Sequence, residues 1–119
     1  MAFVGTEMSG YRVSTDEQSH LEIESWGFWD QNIASAFEFE TITTCNQLQR
    51  IRSLKWNAAD LKPQADHGRS AIRALMVYLS TKQLRDCEIV ADNALTMMQL
   101  KRIARESGLH LAQIRDSWT

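Results

Sequence analysis

Asp66, His67, Arg69, Ser70 and Arg73 crowd into two turns of one predicted helix. A histidine near neutrality can carry a proton or act as a pH-sensitive contact. A serine can take a phosphate, which adds roughly −1.5 to −2 charges. Arginines beside it can receive that phosphate through paired N–H donors. His67 with Asp60 or Asp66 would be the makings of a hydrolase-type site. Against that, no nucleophile elbow, Gly-rich phosphate loop or metal-spaced histidine accompanies them. His67 reads more simply as a surface histidine, Ser70 as a helix-surface residue, and Asp66 as a helix N-cap, where the macrodipole favours its charge.

Asp30, Asp60 and Asp92 each stand at a strand or helix end. Asp60 and Asp92 lie at the carboxyl ends of predicted strands, where α/β proteins usually bind ligands. Capping and turn roles account for all three more simply. Cys45 and Cys87 have no nearby Cys or His at ligand spacing, so a metal site is not expected. With no signal peptide they read as buried free thiols rather than a disulfide. The residues therefore argue against an enzyme, and no cofactor is expected.

Trp26, Phe28 and Trp29 cluster around Gly27. They could form an aromatic platform for a partner or an apolar ligand. The simpler reading is that two of them plug the core at one end of a sheet. Met76, Met97 and Met98 could line an adaptable apolar pocket, although methionines at helical spacing usually fill core gaps.

The elements that must position these residues fit one domain. A chain of 119 residues is one domain's worth, and 44% hydrophobic with 24% charged residues is ordinary for a globular protein. With Gly 5 and Pro 1 there is no room for a long flexible linker. The net charge is −2. Arg69, Arg73, Lys101, Arg102 and Arg105 are spread over two predicted helices, too thinly for a phosphate-backbone footprint, so nucleic-acid binding is not expected. No stretch has the apolar length to span a bilayer, and Met1 to Gly10 has no secretory pattern, so a cytoplasmic location is expected. Residues 1–10 read as a loose segment and 11–119 as a single domain.

Tyr11 to Ser14 reads as a short strand, and Leu21 to Trp26 alternates as a half-buried one, the two joined as a hairpin by a polar turn. Asp30 is placed to cap a helix from Gln31 to about Leu48, with Ile33 or Ala34, Phe37, Thr41, Cys45 and Leu48 near one face. Lys55 to Leu61 reads as a central strand stopped by Pro63. A helix from about Asp66 carries Ile72, Leu75, Met76 and Leu79 on one side. Cys87 to Ala91 is a short apolar strand. Leu95 to Ser107 is a third helix, and Gly108 suits the left-handed position that ends it. Leu109 to Arg115 supplies a last strand, with Leu109, Leu111, Ala112 and Ile114 as its packing residues. The order β-β-α-β-α-β-α-β predicts an α/β fold with a mixed, mostly parallel sheet.

Four places in this order resemble the STAS superfamily, the fold of the anti-sigma-factor antagonists, and nearly the whole chain is covered. Leu21–Glu22–Ile23–Glu24–Ser25–Trp26–Gly27–Phe28–Trp29–Asp30 is similar to the family's second strand, its turn and its first helix cap. Ala59–Asp60–Leu61 is similar to the strand that ends in an Asp-Leu pair. The helix from Asp66 takes the place of the regulatory helix. Ile89 to Asn93, with the helix ending Glu106–Ser107–Gly108–Leu109, resembles the final strand–helix unit. The nearer resemblance is to a bacterial STAS-like (STAS/SEC14-like) branch. That branch carries Gly-x-Trp-Asp after the second strand, a Trp before the Asp-Leu strand and Gln-Leu-x-Arg in the last helix. Here these are Gly27 to Asp30, Trp56 with Asp60–Leu61, and Gln99–Leu100–Lys101–Arg102.

The resemblance implies a regulatory module whose partner is a signalling kinase or an anti-sigma-like factor. In the family's best-known members a serine at the start of the regulatory helix takes a phosphate. Counting forward without gaps from Asp60–Leu61 sets Ser70 opposite that serine. Alignment by the apolar face sets Asp66 and His67 there instead. Helix phase favours the second, and the acceptor serine is then absent. The leading expectation is a non-enzymatic protein-binding module using Asp66, His67, Arg69, Ser70 and Arg73. Its rivals are a carrier of a small apolar ligand or lipid, and the hydrolase-type enzyme above. An edge strand and exposed aromatics would also permit a homodimer.

Overall fold

The computed structural model describes residues 2–16 and 19–118. Three strands open the chain: β1 (Ala2–Gly5), β2 (Gly10–Thr15) and β3 (His20–Gly27). Alternating helices and strands follow: α1 (Gln31–Gln47), β4 (Ser53–Leu61), α2 (Asp66–Ser80), β5 (Asp86–Val90), α3 (Ala94–Ser107) and β6 (Gln113–Arg115). The protein is thus α/β, with a six-stranded mixed sheet in the order β1-β2-β3-β4-β5-β6. β1, β2 and β3 pair antiparallel; β3, β4, β5 and β6 pair parallel.

The expectation of a loose segment over residues 1–10 is corrected at Ala2–Gly5, and Met1 lies outside the described residues. Residues 2–5 form an edge strand paired with β2, because Ala2–Gly5 can pair antiparallel with Gly10–Val13 across a tight turn. One strand is therefore added before the expected series. The β2–β3 hairpin becomes interior, and β1 and β6 are the two edges.

Every helical crossover steps the same way along the sheet. Right-handed crossovers of that kind put all their helices on one face. The strands are patterned for it. Leu21, Ile23 and Ser25 of β3, Leu54, Trp56 and Ala58 of β4, and Cys87 and Ile89 of β5 are buried beneath the helices. Between them Glu22, Glu24, Lys55, Asn57 and Glu88 point to the open face. Parallel strands covered on both faces read as continuous apolar runs; this alternation marks one bare face.

That open face carries charge and aromatic pairs. Arg12 bonds Glu24 at 3.1 Å and lies 5.2 Å from the Phe3 ring and 5.8 Å from the Trp26 ring. Arg115 bonds Glu88 at 2.7 Å, and Arg115 holds the Glu88 carboxyl below its ordinary pKa. A bulge between Glu24 and Trp26 shifts the register against β4, and the Asn57 side chain accepts the Ala59 N–H freed there at 3.0 Å.

The core is aromatic at one end. Phe37 of α1 sits 4.6 Å from Trp29, 5.2 Å from Tyr11 and 5.7 Å from Trp56, ring centre to ring centre. Two of the rings need polar partners inside. Trp29 Nε1 donates to the Gly10 carbonyl at 3.1 Å, and Trp56 Nε1 donates to Ser25 Oγ at 2.8 Å. The Tyr11 hydroxyl and Glu40 Oε2 are also enclosed, without a partner at hydrogen-bond geometry. Burial first, and the neighbouring Glu40 carboxyl second, push the Tyr11 pKa far above that of an ordinary phenol.

Asp30 caps α1, accepting the Ile33 N–H at 2.9 Å, and Gly108 ends α3 in the left-handed region at φ 82°. Asn93 caps α3 through the Leu95 and Thr96 N–H groups. Leu109 is buried and Ala112 and Ile114 pack against the core, but Leu111 is exposed. The reason is length: β6 keeps only three residues, and Leu111 lies in the turn before it.

Candidate functional site

The three helices all begin at the carboxyl end of the parallel strands. There the loop from β4 to α2 is held by one buried side chain, Gln64. Its Nε2 donates to the Gly27 carbonyl at 2.9 Å and the Lys62 carbonyl at 2.7 Å. Its Oε1 accepts the Trp29 N–H at 3.0 Å. Its backbone is clasped by Gln99 of α3, at 2.8 and 2.9 Å. Thr96 of the same helix donates to the Leu61 carbonyl at 2.8 Å. A full set of partners makes such a buried polar group rigid rather than costly.

Gly68 lets α2 approach that knot. A Cβ there would lie 2.4 Å from Gln64 Oε1 and 2.8 Å from Gln64 Cβ. The amide is pinned by three bonds and cannot swing away. Gly68→Ala is therefore expected to lower stability by about 1–2 kcal/mol, although alanine is the better helix former by about 1 kcal/mol. Chemical denaturation checks the sign; a more stable variant would show that Gln64 yields.

On this anchored end the charged turn of α2 is displayed. Ala65, not Asp66, is the N-cap, and it offers no side-chain bond to the helix. Asp66 is one residue too far along to cap, because it already has helical backbone. It pairs with Arg69 instead. His67 and Ser70 are exposed. Arg73 bonds Glu106 of α3 at 2.9 Å, and Arg73 holds that carboxyl below its ordinary pKa. Both ion pairs are solvent-exposed and contribute little to stability. The five residues thus share one surface, with both arginines engaged by carboxylates.

Apolar groups lie at the same end. Phe28 is 51%, Leu95 61% and Met98 66% exposed. Leu95 and Met98 are three residues apart on α3, so they share a face, on the helix whose Gln99 holds the start of α2.

The aromatic trio around Gly27 is divided. Trp29 is buried in the core, so it is corrected as a platform residue: its backbone N–H is tied to Gln64 and its ring to the aromatic cluster. Phe28 is exposed at the carboxyl end. Trp26 lies on the open sheet face, stacked 5.8 Å from Phe3, and donates to the Thr6 carbonyl at 2.8 Å. Gly27 turns the chain between them, so the three side chains point three ways.

His67 makes no hydrogen bond with Asp60 or Asp66 among the described residues. Asp30 caps a helix, and Asp92 holds the Ser117 N–H and hydroxyl at 2.7 and 2.8 Å. Among the described residues no three His, Cys, Asp or Glu side chains are grouped to hold a metal ion. Met76 and Trp29 are buried in the core and Met97 packs against it, so none of them lines the larger clefts.

Cys45 and Cys87 are free and buried. Burial pushes the Cys45 thiol up to about 11, with Lys82 pulling weakly the other way, and the Cys87 thiol up to about 12. Neither is a nucleophile near neutrality. A thiol reagent at pH 8 is expected to label neither cysteine in the native protein and both after unfolding. The raised values also set a pH trend. The stability tied to these thiols is complete below their ordinary pKa and is lost as pH rises through about 11 to 12.

One pairing escaped the sequence. His20 opens β3 and Ser53 opens β4, and they are register partners whose Nδ1 and Oγ are hydrogen-bonded. Each begins its strand at the end opposite α2's first turn. Only parallel pairing joins them, since they are far apart in the chain. A cleft of about 890 Å³ beside them is lined by Asp16, Arg85, Asp86 and His110 among others.

No family model matches the chain, and no curated protein matches it. Among the described residues no helix is long and apolar enough to cross a membrane.

Proposed function

We propose that this chain is a non-enzymatic regulatory module of the STAS-like, anti-sigma-factor-antagonist type, working in the cytoplasm. It binds a protein partner through the end formed by the first turns of α2 and α3. The observation that carries this reading is the make-up of that end. The charged turn Asp66–Arg73 and exposed Leu95 and Met98 lie at the same end of the molecule, on helices whose starts are joined by Gln64 and Gln99. Partner surfaces join apolar anchors to a polar rim, and a rigid base lowers the entropy lost on binding.

In this reading the permanent charge of Asp66 stands where relatives of the fold carry a reversible phosphate. Ser70 is the second candidate for that role. It is exposed one turn from Arg73 and beside Arg69, so a phosphate there would compete with Asp66 and Glu106 for the guanidinium groups.

Affinity capture from the native host's lysate tests the proposal. Wild type is compared with Asp66→Ala, His67→Ala, Ser70→Asp and Met98→Glu. Recovery of a kinase, an anti-sigma factor or another signalling protein, lost in those variants, supports it. A co-purifying lipid or small molecule in native mass spectrometry, with no protein partner, sinks it in favour of a ligand carrier.

A further inference from the structure

We propose that the opposite end of the molecule carries an anion site that takes a phosphomonoester, through Arg50, Arg52 and Arg85. Three stretches meet there: Ser19 before β3, the loop from α1 to β4, and the loop from α2 to β5. They are laced by main-chain bonds. Arg52 N–H donates to the Ser19 carbonyl at 2.9 Å, and the Arg52 carbonyl accepts from Arg85 N–H at 2.7 Å and Asp86 N–H at 3.4 Å. The rim is therefore fixed before any ligand arrives.

Ile51 is buried, so Arg50 and Arg52 on either side of it turn outward. Both line a cleft of about 700 Å³ together with Arg85, His20 and Ser53, and among the described residues Asp86 is its one carboxylate. Arg12, Arg69, Arg73 and Arg115 are each held by a carboxylate elsewhere. The three arginines of this cleft have no such partner among the described residues. Like charges gathered on a fixed rim repel one another, and an anion relieves that repulsion.

The chemistry selects the anion. A guanidinium fork matches two oxygens of a phosphate, and three forks exceed what one carboxylate can accept. A phosphomonoester offers three terminal oxygens and about two negative charges near neutrality. Among the described residues of the cleft, three guanidinium groups outnumber the one carboxylate, Asp86, on a chain whose net charge is −2. The volume lies within the range of small-molecule sites, leaving room for an organic group beyond the phosphate. The Ser53 hydroxyl, with His20 beside it, adds a neutral polar contact.

The ester could belong to a free metabolite or to a lipid headgroup, and two probes separate them. Glycerol 3-phosphate is titrated at constant ionic strength, with chloride as the control, and backbone amide resonances are followed by NMR. Phosphatidic acid vesicles are compared with phosphatidylcholine vesicles by co-sedimentation. The expected result is saturable shifts centred on Ser19, Arg52, Ser53, Arg85 and Asp86. Arg52→Gln and Arg85→Gln should each weaken binding about tenfold, with native spectra otherwise kept. Vesicle binding lost in the same variants would assign the headgroup as the source and equally support the site. Shifts that do not saturate, binding that survives both variants, or no response to either probe would overturn the proposal.

Discussion

Phe37→Ala is expected to cost about 4 kcal/mol of folding stability, near the middle of the range for a buried phenylalanine. Phe37 is fully buried, and its ring is the hub that Tyr11, Trp29 and Trp56 all touch. Those neighbours cannot collapse into the space left behind. Trp29 is anchored by its indole bond to Gly10 and Trp56 by its bond to Ser25. A cavity walled by pinned rings stays open, and an open cavity adds to the lost transfer energy. Phe37→Leu refills most of the volume and should cost about 1–2 kcal/mol. Urea unfolding followed by tryptophan fluorescence measures both, as a lower midpoint at unchanged slope. A loss under about 1 kcal/mol for the alanine variant would mean that the four rings do not form one packed unit.

The second large effect is polar. Gln64→Leu is expected to cost about 3 kcal/mol, although leucine is apolar and of similar size. The substitution strands the buried Trp29 N–H and takes one donor each from the Gly27 carbonyl, which keeps the Lys62 N–H at 3.1 Å, and from the part-buried Lys62 carbonyl. Each unsatisfied buried group costs about 1–3 kcal/mol, offset in part by the apolar contacts of leucine. Gln99→Leu, at a half-buried position, should cost less, since solvent can reach the groups it frees. Gly68→Ala is expected to cost less in a Gln64→Ala background than in the wild type, because the contact with Oε1 is gone while the one with Cβ remains. Equal costs in the two backgrounds would sink the idea that the Gln64 amide is what Gly68 avoids. Hydrogen exchange gives an independent reading: the Trp29 amide should be slow in the wild type and fast in Gln64→Leu.

Local pattern determined most of the elements. Period-two alternation in β3, the apolar stripe Ile72–Leu75–Met76–Leu79 in α2, the Asp30 cap and the Gly108 stop are properties of neighbouring residues, so they are legible in the chain itself. The alternation in β3 also announced a one-sided sheet, since burial on both faces would have removed its glutamates. β1 was not legible, because Ala2–Gly5 is too short to show a period and becomes a strand only by pairing with β2. The fate of the Trp26–Phe28–Trp29 run was equally hidden. Which way each ring points depends on the turn at Gly27 and on Gln64, a residue far along the chain.

Tertiary structure alone decided the candidate sites. The charged run Asp66–Arg73 was visible as a sequence motif, but that exposed Leu95 and Met98 lie at the same end of the molecule was decided by the sheet order and helix packing. Gln64 carries no local signal of its role, because two of its partners, Gly27 and Trp29, lie far back in the chain. Arg85 is far in sequence from Arg50 and Arg52, and His20 from Ser53; parallel strands bring the starts of these distant segments together. Sequence spacing records what lies along one element, whereas sheet register sets what lies across elements, and both proposed surfaces depend on contacts across them.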